Sequence, residues 1–173
     1  MRAPDHSGPD RPFVPLSDLM SKVGYFLFYW SNLEKALTDA IRDARSDAAR
    51  TPARVCGTFT ERLDLWRELT TPLPGNENNA VVEQIADQAM SLRKIRNFIV
   101  HGLIGGHSMP DAAPGYIECA VGGYDKPTGE KVRYSIDDLE HLAQAADACR
   151  RGFRDIGSFN YRLDSRFQGD PGS

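Results

Sequence analysis

Near the middle of this chain, the run Arg96-Asn97-Phe98-Ile99-Val100-His101-Gly102 brings together a guanidinium, an amide and an imidazole. An imidazole takes or gives a proton near neutral pH. A guanidinium holds a phosphate and the extra charge of its transition state. These are the groups needed to cleave RNA without a metal. Attack of a ribose 2′-hydroxyl on the adjacent phosphorus needs a base, an acid for the leaving 5′-oxygen, and positive charge beside the phosphorane. His101 suits the base or the acid, and Arg96 the phosphate clamp. Asn97 can orient the imidazole or bind phosphate. One imidazole does not readily act as both acid and base at once, so a symmetric dimer would supply the second.

These residues need a helix to position them. Val81 or Val82, Ile85, Ala89, Leu92, Ile95 or Phe98, and Ile99 recur at helical spacing, which predicts a helix over about 80–100, capped by Asn78 or Asn79. With Arg93 at zero on an ideal helix, Asn97 lies at about 40°, His101 at about 80° and Arg96 at about −60°. Arg93, Asn97 and His101 thus form a polar edge flanked by Arg96, and Lys94 adds to the basic patch. Gly102 is expected to end the helix. The helix dipole favours a cation at that end by a few tenths to ~1 kcal/mol.

The remaining pattern predicts a mainly α, up-down bundle of about four helices, with a small antiparallel β insertion between the third and fourth. The first helix runs from about 18 to 45, with Ser17 as its N-cap. It carries Leu19, Val23, Phe26, Leu27, Trp30, Leu33, Leu37 and Ile41 on one stripe. Phe28 and Tyr29 lie off that stripe, which suggests a second contact such as a subunit interface. Tyr25, Tyr29 and Trp30 could stack a base, although this spacing more often means core or interface. Glu34, away from the stripe, is a candidate partner for Arg93 or Arg96. A second helix is expected over about 59–69. Short strands follow near 103–106, 116–121 and 131–135, the last two joined by a turn at 125–129. Ser135-Ile136-Asp137-Asp138 marks the N-terminus of a fourth helix reaching about Phe153.

One domain over 17–164 is expected, with the β insertion at about 103–134, a flexible arm at 1–16 and a loose tail at 165–173. The formal net charge of −3 argues against a general nucleic-acid coat, since such proteins are usually basic. Cys56, Cys119 and Cys149 lack CxxC spacing and are odd in number, which points to reduced thiols and a cytoplasmic protein. The first residues do not read as a signal peptide. The apolar stretch at 23–30 is too short to span a bilayer, so no membrane partner is expected. No cofactor is expected either: no two histidines have i, i+4 metal-site spacing, and Gly105-Gly106 lacks the lysine of a phosphate loop. His6 and His107 fall in the arm and a turn, and His141 is expected to be exposed on the last helix.

An arginine followed by a polar residue, three more residues and a histidine, at the end of a third helix, resembles the motif of the HEPN superfamily. The stretch Trp30-Ser31-Asn32-Leu33-Glu34-Lys35-Ala36-Leu37 is also similar to the first helix of several HEPN groups. The resemblance covers roughly residues 17–157. It implies a metal-independent endoribonuclease that leaves 2′,3′-cyclic phosphate ends and acts as a homodimer with the two motifs at a shared cleft. It further implies a toxin or antiphage defence effector, and an antitoxin or nucleotidyltransferase as protein partner. Under it, Arg96, His101 and Asn97 are catalytic, and Arg93, Glu34 and Lys94 bind substrate or support the site. The superfamily also has members without nuclease activity, which implies the alternative of a non-catalytic nucleotide- or protein-binding module. A structural dimer or immunity-type protein is a third reading, in which the aromatic face of the first helix carries the role.

Overall fold

The computed structural model describes residues 15–46, 57–71, 78–107, 115–121 and 129–159, together with 161, 163 and 167. Four helices and one small sheet make up its regular structure, in the order α1 (Leu16–Ser46), α2 (Phe59–Thr70), α3 (Asn78–Gly102), β1 (Leu103–His107), β2 (Tyr116–Ala120), β3 (Lys131–Ser135) and α4 (Ile136–Arg154). The mainly helical bundle and the antiparallel sheet between α3 and α4 are as the sequence pattern predicts. No helix among the described residues is long and apolar enough to cross a membrane.

The helix stripes meet in one core. Leu19, Val23, Phe26, Trp30, Leu33, Leu37 and Ile41 of α1 are buried against Leu63 and Trp66 of α2, Ile85, Leu92 and Ile99 of α3, and Leu139, Leu142 and Phe153 of α4. Trp66 meets the Phe153 ring edge-on at 4.8 Å. Burying one such large apolar side chain contributes about 1.5–3 kcal/mol. Lys22 pairs with Glu140 near the starts of α1 and α4, so these two helices begin at the same end. Phe59 packs on Trp30, and Arg62 reaches Glu34 and Thr38, so α2 follows the same sense as α1. In contrast, α3 runs against α4: Ile85, early in α3, lies 2.9 Å from where a Cβ on Gly152, late in α4, would stand. The expected up-down alternation is therefore not kept: α1, α2 and α4 share one sense and α3 opposes them, because Phe59 and Arg62 seat α2 along α1 in its own direction.

Local caps explain the boundaries. Thr58 closes a capping box with Glu61 at the start of α2, and the backbone and hydroxyl of Thr58 hold the Glu61 carboxyl below its ordinary range. The expected box at Ser135 is present, with Asp138 as its acid. Ser17, by contrast, does not cap α1. The helix already includes Leu16, and the Asp18 amide bonds to the Pro15 carbonyl.

The sheet has the order β1-β2-β3, both pairs antiparallel. Its register sets Gly105 opposite Glu118 and Glu118 opposite Arg133. A bulge at Ile104 interrupts the first pair. Ile117, Cys119 and Tyr134 close the core from the sheet side. Burial pushes the Cys119 and Cys149 thiols up to about 12, so both are poor nucleophiles. Past α4, the Gln88 side chain donates to the Tyr161 carbonyl at 2.8 Å and accepts from the Leu163 amide at 3.1 Å, tying the chain back onto α3. His141 is half-buried here, not exposed as expected: the Tyr161 hydroxyl lies 2.9 Å from its Nδ1, and Phe167 stacks on its ring. Phe167 also stacks on Tyr134, so this one residue of the expected tail packs on the domain. The other expected tail residues, the arm at 1–14, Cys56 and most of the 125–129 turn lie outside the described residues.

Candidate active site

The second half of α3 carries the candidate groups. Its buried line, Leu92, Ile95 and Ile99, anchors it to the core and turns the opposite side outward. Arg93, Arg96 and Asn97 are half-buried, while Lys94 and His101 are exposed. Arg93, Asn97 and His101, each four residues apart, share one edge as the helical period requires. The structure brings Arg96 and Asn97 into contact: Arg96 Nη1 donates to Asn97 Oδ1 at 3.0 Å. Asn97 thus holds the guanidinium. Arg96 Nε is buried with no hydrogen-bond partner. Arg96 and His101 stand about 7.5 Å apart along the helix axis and about 140° around it, so they flank rather than touch each other.

The charge environment of this helix half is distinctive. From Gln88 to His107 the sequence contains no acidic residue. Among the described residues, no carboxylate lies within ion-pair distance of Arg93, Lys94, Arg96 or His101. A half-buried guanidinium is costly to leave without a counter-ion, and an arriving phosphate would supply one.

One expectation is overturned. Glu34 does not pair with Arg93 or Arg96. It accepts from Arg62 Nη2 at 3.3 Å, while Arg62 Nη1 donates to the Thr38 hydroxyl at 2.8 Å. The cause is the direction of α2, which lays Arg62 along the Glu34 side of α1. Gly102, by contrast, does end α3 as expected, although not through a left-handed conformation. The described glycines with positive φ are Gly57 and Gly129. Instead α3 passes directly into β1, and a Cβ at 102 would collide with the Ala120 carbonyl oxygen. Glycine is required here for close approach of β2, and this contact fixes the end of α3 that carries His101.

A hollow of about 740 Å³ runs along the outer face of α3 and includes Lys94 but neither Arg96 nor His101. Another of about 930 Å³ lies beyond Trp66 and Phe153. The aromatic residues of α1 divide: Trp30 is buried in the core, Tyr29 half-buried, and Tyr25 and Phe28 exposed by 59% and 61%. Among the described residues, no three of His, Cys, Asp and Glu come together as metal ligands would. Sequence reasoning passed over the cluster of Tyr116, Glu118, Lys131 and Arg133 on the sheet. The alternation in Tyr116-Ile117-Glu118 and Lys131-Val132-Arg133, which puts the polar members on one face, was the available signal.

No family model matches the chain, and no curated protein or solved structure is found to be similar to it.

Proposed function

We propose that this protein is a metal-independent endoribonuclease of the HEPN kind, working as a homodimer, with Arg96 and His101 as its catalytic residues. The observation that carries the reading is Arg96: half-buried, held by Asn97, free of any carboxylate among the described residues, and set about 1.4 turns from an exposed imidazole at the helix end. In the reaction, one His101 imidazole takes the proton of a ribose 2′-hydroxyl as its oxygen bonds to phosphorus. The bond from phosphorus to the 5′-oxygen breaks, and an imidazolium gives that oxygen a proton. The products are a 2′,3′-cyclic phosphate and a 5′-hydroxyl. Arg96 carries the added charge on the phosphorane, and Arg93 and Lys94 attract the neighbouring phosphates. The second imidazole belongs to a second copy, whose α3 end lies beside that of the first. Exposed Phe28 of α1, with Val100 and Ile104 beside the motif, offers apolar surface for that contact. A role as toxin or antiphage effector, restrained by an antitoxin or nucleotidyltransferase partner, fits an RNA-cleaving dimer.

The test is incubation of the purified protein with a mixed RNA pool in EDTA, beside His101→Ala, with the cut ends mapped. Cleavage leaving cyclic phosphate ends, lost in the variant, supports the reading. Equal cleavage by both removes His101 from the mechanism, and no cleavage by either favours a binding module.

A further inference from the structure

The sheet has one face in the core and one facing outward. Ile117, Cys119 and Tyr134 point inward. Strand alternation puts Tyr116, Glu118, Lys131, Arg133 and Gly105 on the other side. Glu118 is nearly buried there, and its two oxygens are taken by different cations: Lys131 Nζ at 2.7 Å and Arg133 Nε at 3.1 Å. The carboxylate therefore fixes two long side chains that are themselves more than half exposed. Arg133 is fixed a second time, its guanidinium carbon 4.5 Å from the centre of the Tyr116 ring. Two cations against one carboxylate leave a surplus positive charge. At the third member of the row, Gly105, no atom of the described residues lies within 4 Å of where a Cβ would stand. Beside the Arg133–Tyr116 stack the surface thus drops by one side chain. A glycine inside a strand weakens it, and such a position often marks close approach of a ligand.

A flat guanidinium laid on an aromatic ring is a stacking surface for a nucleobase, and a lysine beside it is a phosphate contact. We propose that this sheet face binds one unpaired nucleotide of a single-stranded RNA, its base on the Arg133–Tyr116 stack and over Gly105, its phosphate at Lys131. The proposal rests on the ribonuclease reading for the source of the nucleotide. Position supports it: Lys131 pairs with Ala120, and Ala120 packs against Gly102, next to His101. A strand held on the sheet would be led to the end of α3.

The experiment measures binding of a labelled single-stranded RNA oligonucleotide in EDTA by fluorescence anisotropy. His101→Ala is the parent, so that nothing is cut. Arg133→Ala and Lys131→Ala remove exposed groups, and Gly105→Val fills the open slot without changing charge. Arg133→Ala and Gly105→Val are each expected to weaken binding about tenfold, the scale of one stacked base. The unfolding midpoint of Gly105→Val should stay near that of the parent, and those of Arg133→Ala and Lys131→Ala should fall only slightly, each leaving Glu118 one cation. Unchanged affinity in Arg133→Ala and Gly105→Val overturns the proposal, as does an oligonucleotide that does not bind the parent, and unchanged affinity in Lys131→Ala overturns its phosphate contact. A mononucleotide that competes as well as the oligonucleotide assigns the site to a free nucleotide and overturns its role in holding RNA. Cleavage by wild type, run in parallel, separates the two readings. Cleavage with platform-independent binding removes only the platform, and platform-dependent binding without cleavage removes only the nuclease.

Discussion

The two halves of α3 treat charge in opposite ways. In the first half, Glu83 and Asp87 are both taken up by Arg67 of α2, at 2.9 and 3.3 Å, and Arg67 also meets Asp64. These groups clamp one helix to its neighbour. In the second half, Arg93, Lys94, Arg96 and His101 have no carboxylate at ion-pair distance among the described residues. Among the described residues no acidic group pairs with them, and the helix dipole favours a cation only in the last turn, by about 0.3–1 kcal/mol. Charges satisfied within the chain hold it together, whereas charges left unsatisfied are available to a ligand. Substitutions should therefore separate stability from activity along a single helix.

The largest expected effect is at His101. His101→Ala should reduce RNA cleavage by about 10²- to 10⁴-fold, the usual contribution of a positioned acid or base. Arg96→Ala should cost about 10²-fold or more, as loss of one charge-stabilising donor does. Exposed His101 should lose little stability, within about 0.5 kcal/mol by urea unfolding. Cleavage surviving both substitutions would erase the contrast between the helix halves.

Gly102→Val sharpens the comparison from the structural side. The new side chain would enter the space of the Ala120 carbonyl. Overpacking of this kind costs about 1–3 kcal/mol. It would also displace the end of α3, so cleavage should fall together with the urea midpoint. A full-strength midpoint would mean that β2 yields easily and that Gly102 does not position His101.

How far these features were legible follows from what each depends on. The apolar stripes of α1, α3 and α4 gave away the bundle because burial repeats with the helical period. Ser135 and Asp138 marked the start of α4 because a capping box is local chemistry. The polar edge of Arg93, Asn97 and His101 was visible for the same reason, being one helix read at one period. Partners across helices were not. Glu34 was matched with the wrong arginine because only the course of α2 decides that Arg62 lies beside it. Gly102 was legible as the end of α3, but not as the close neighbour of Ala120, which comes from a strand later in the chain. His141 was placed in solvent because Tyr161 and Phe167, which cover it, follow a break in the helical pattern.

Arg67→Ala probes the paired half. Three carboxylates lose their cation, and the arginine side chain is 27% exposed. Single surface pairs contribute about 0–1 kcal/mol, so this small network should cost about 1 kcal/mol in urea unfolding. Cleavage should stay within about twofold of wild type. If Arg67→Ala impaired cleavage as strongly as Arg96→Ala, the division of α3 into a clamp and a site would fail.

The smallest effect concerns Glu118, where cations close to the end of α3 are paired after all. Lys131 and Arg133 hold its carboxyl below the ordinary range. The folded protein therefore keeps this group ionised at a pH where the unfolded chain has taken up a proton. The stabilisation is complete above the unfolded value, near 4.5, and is lost as pH falls through the lower folded value. Glu118→Gln removes the charge at every pH. The urea midpoint of wild type should exceed that of Glu118→Gln at about pH 7, and the gap should narrow progressively as pH falls below 4.5. A gap that persists unchanged in acid would mean that Glu118 stabilises the sheet by packing, not by charge. The two cations would then be as unclaimed as those of α3, and the contrast between paired and unpaired regions would stop at the helix.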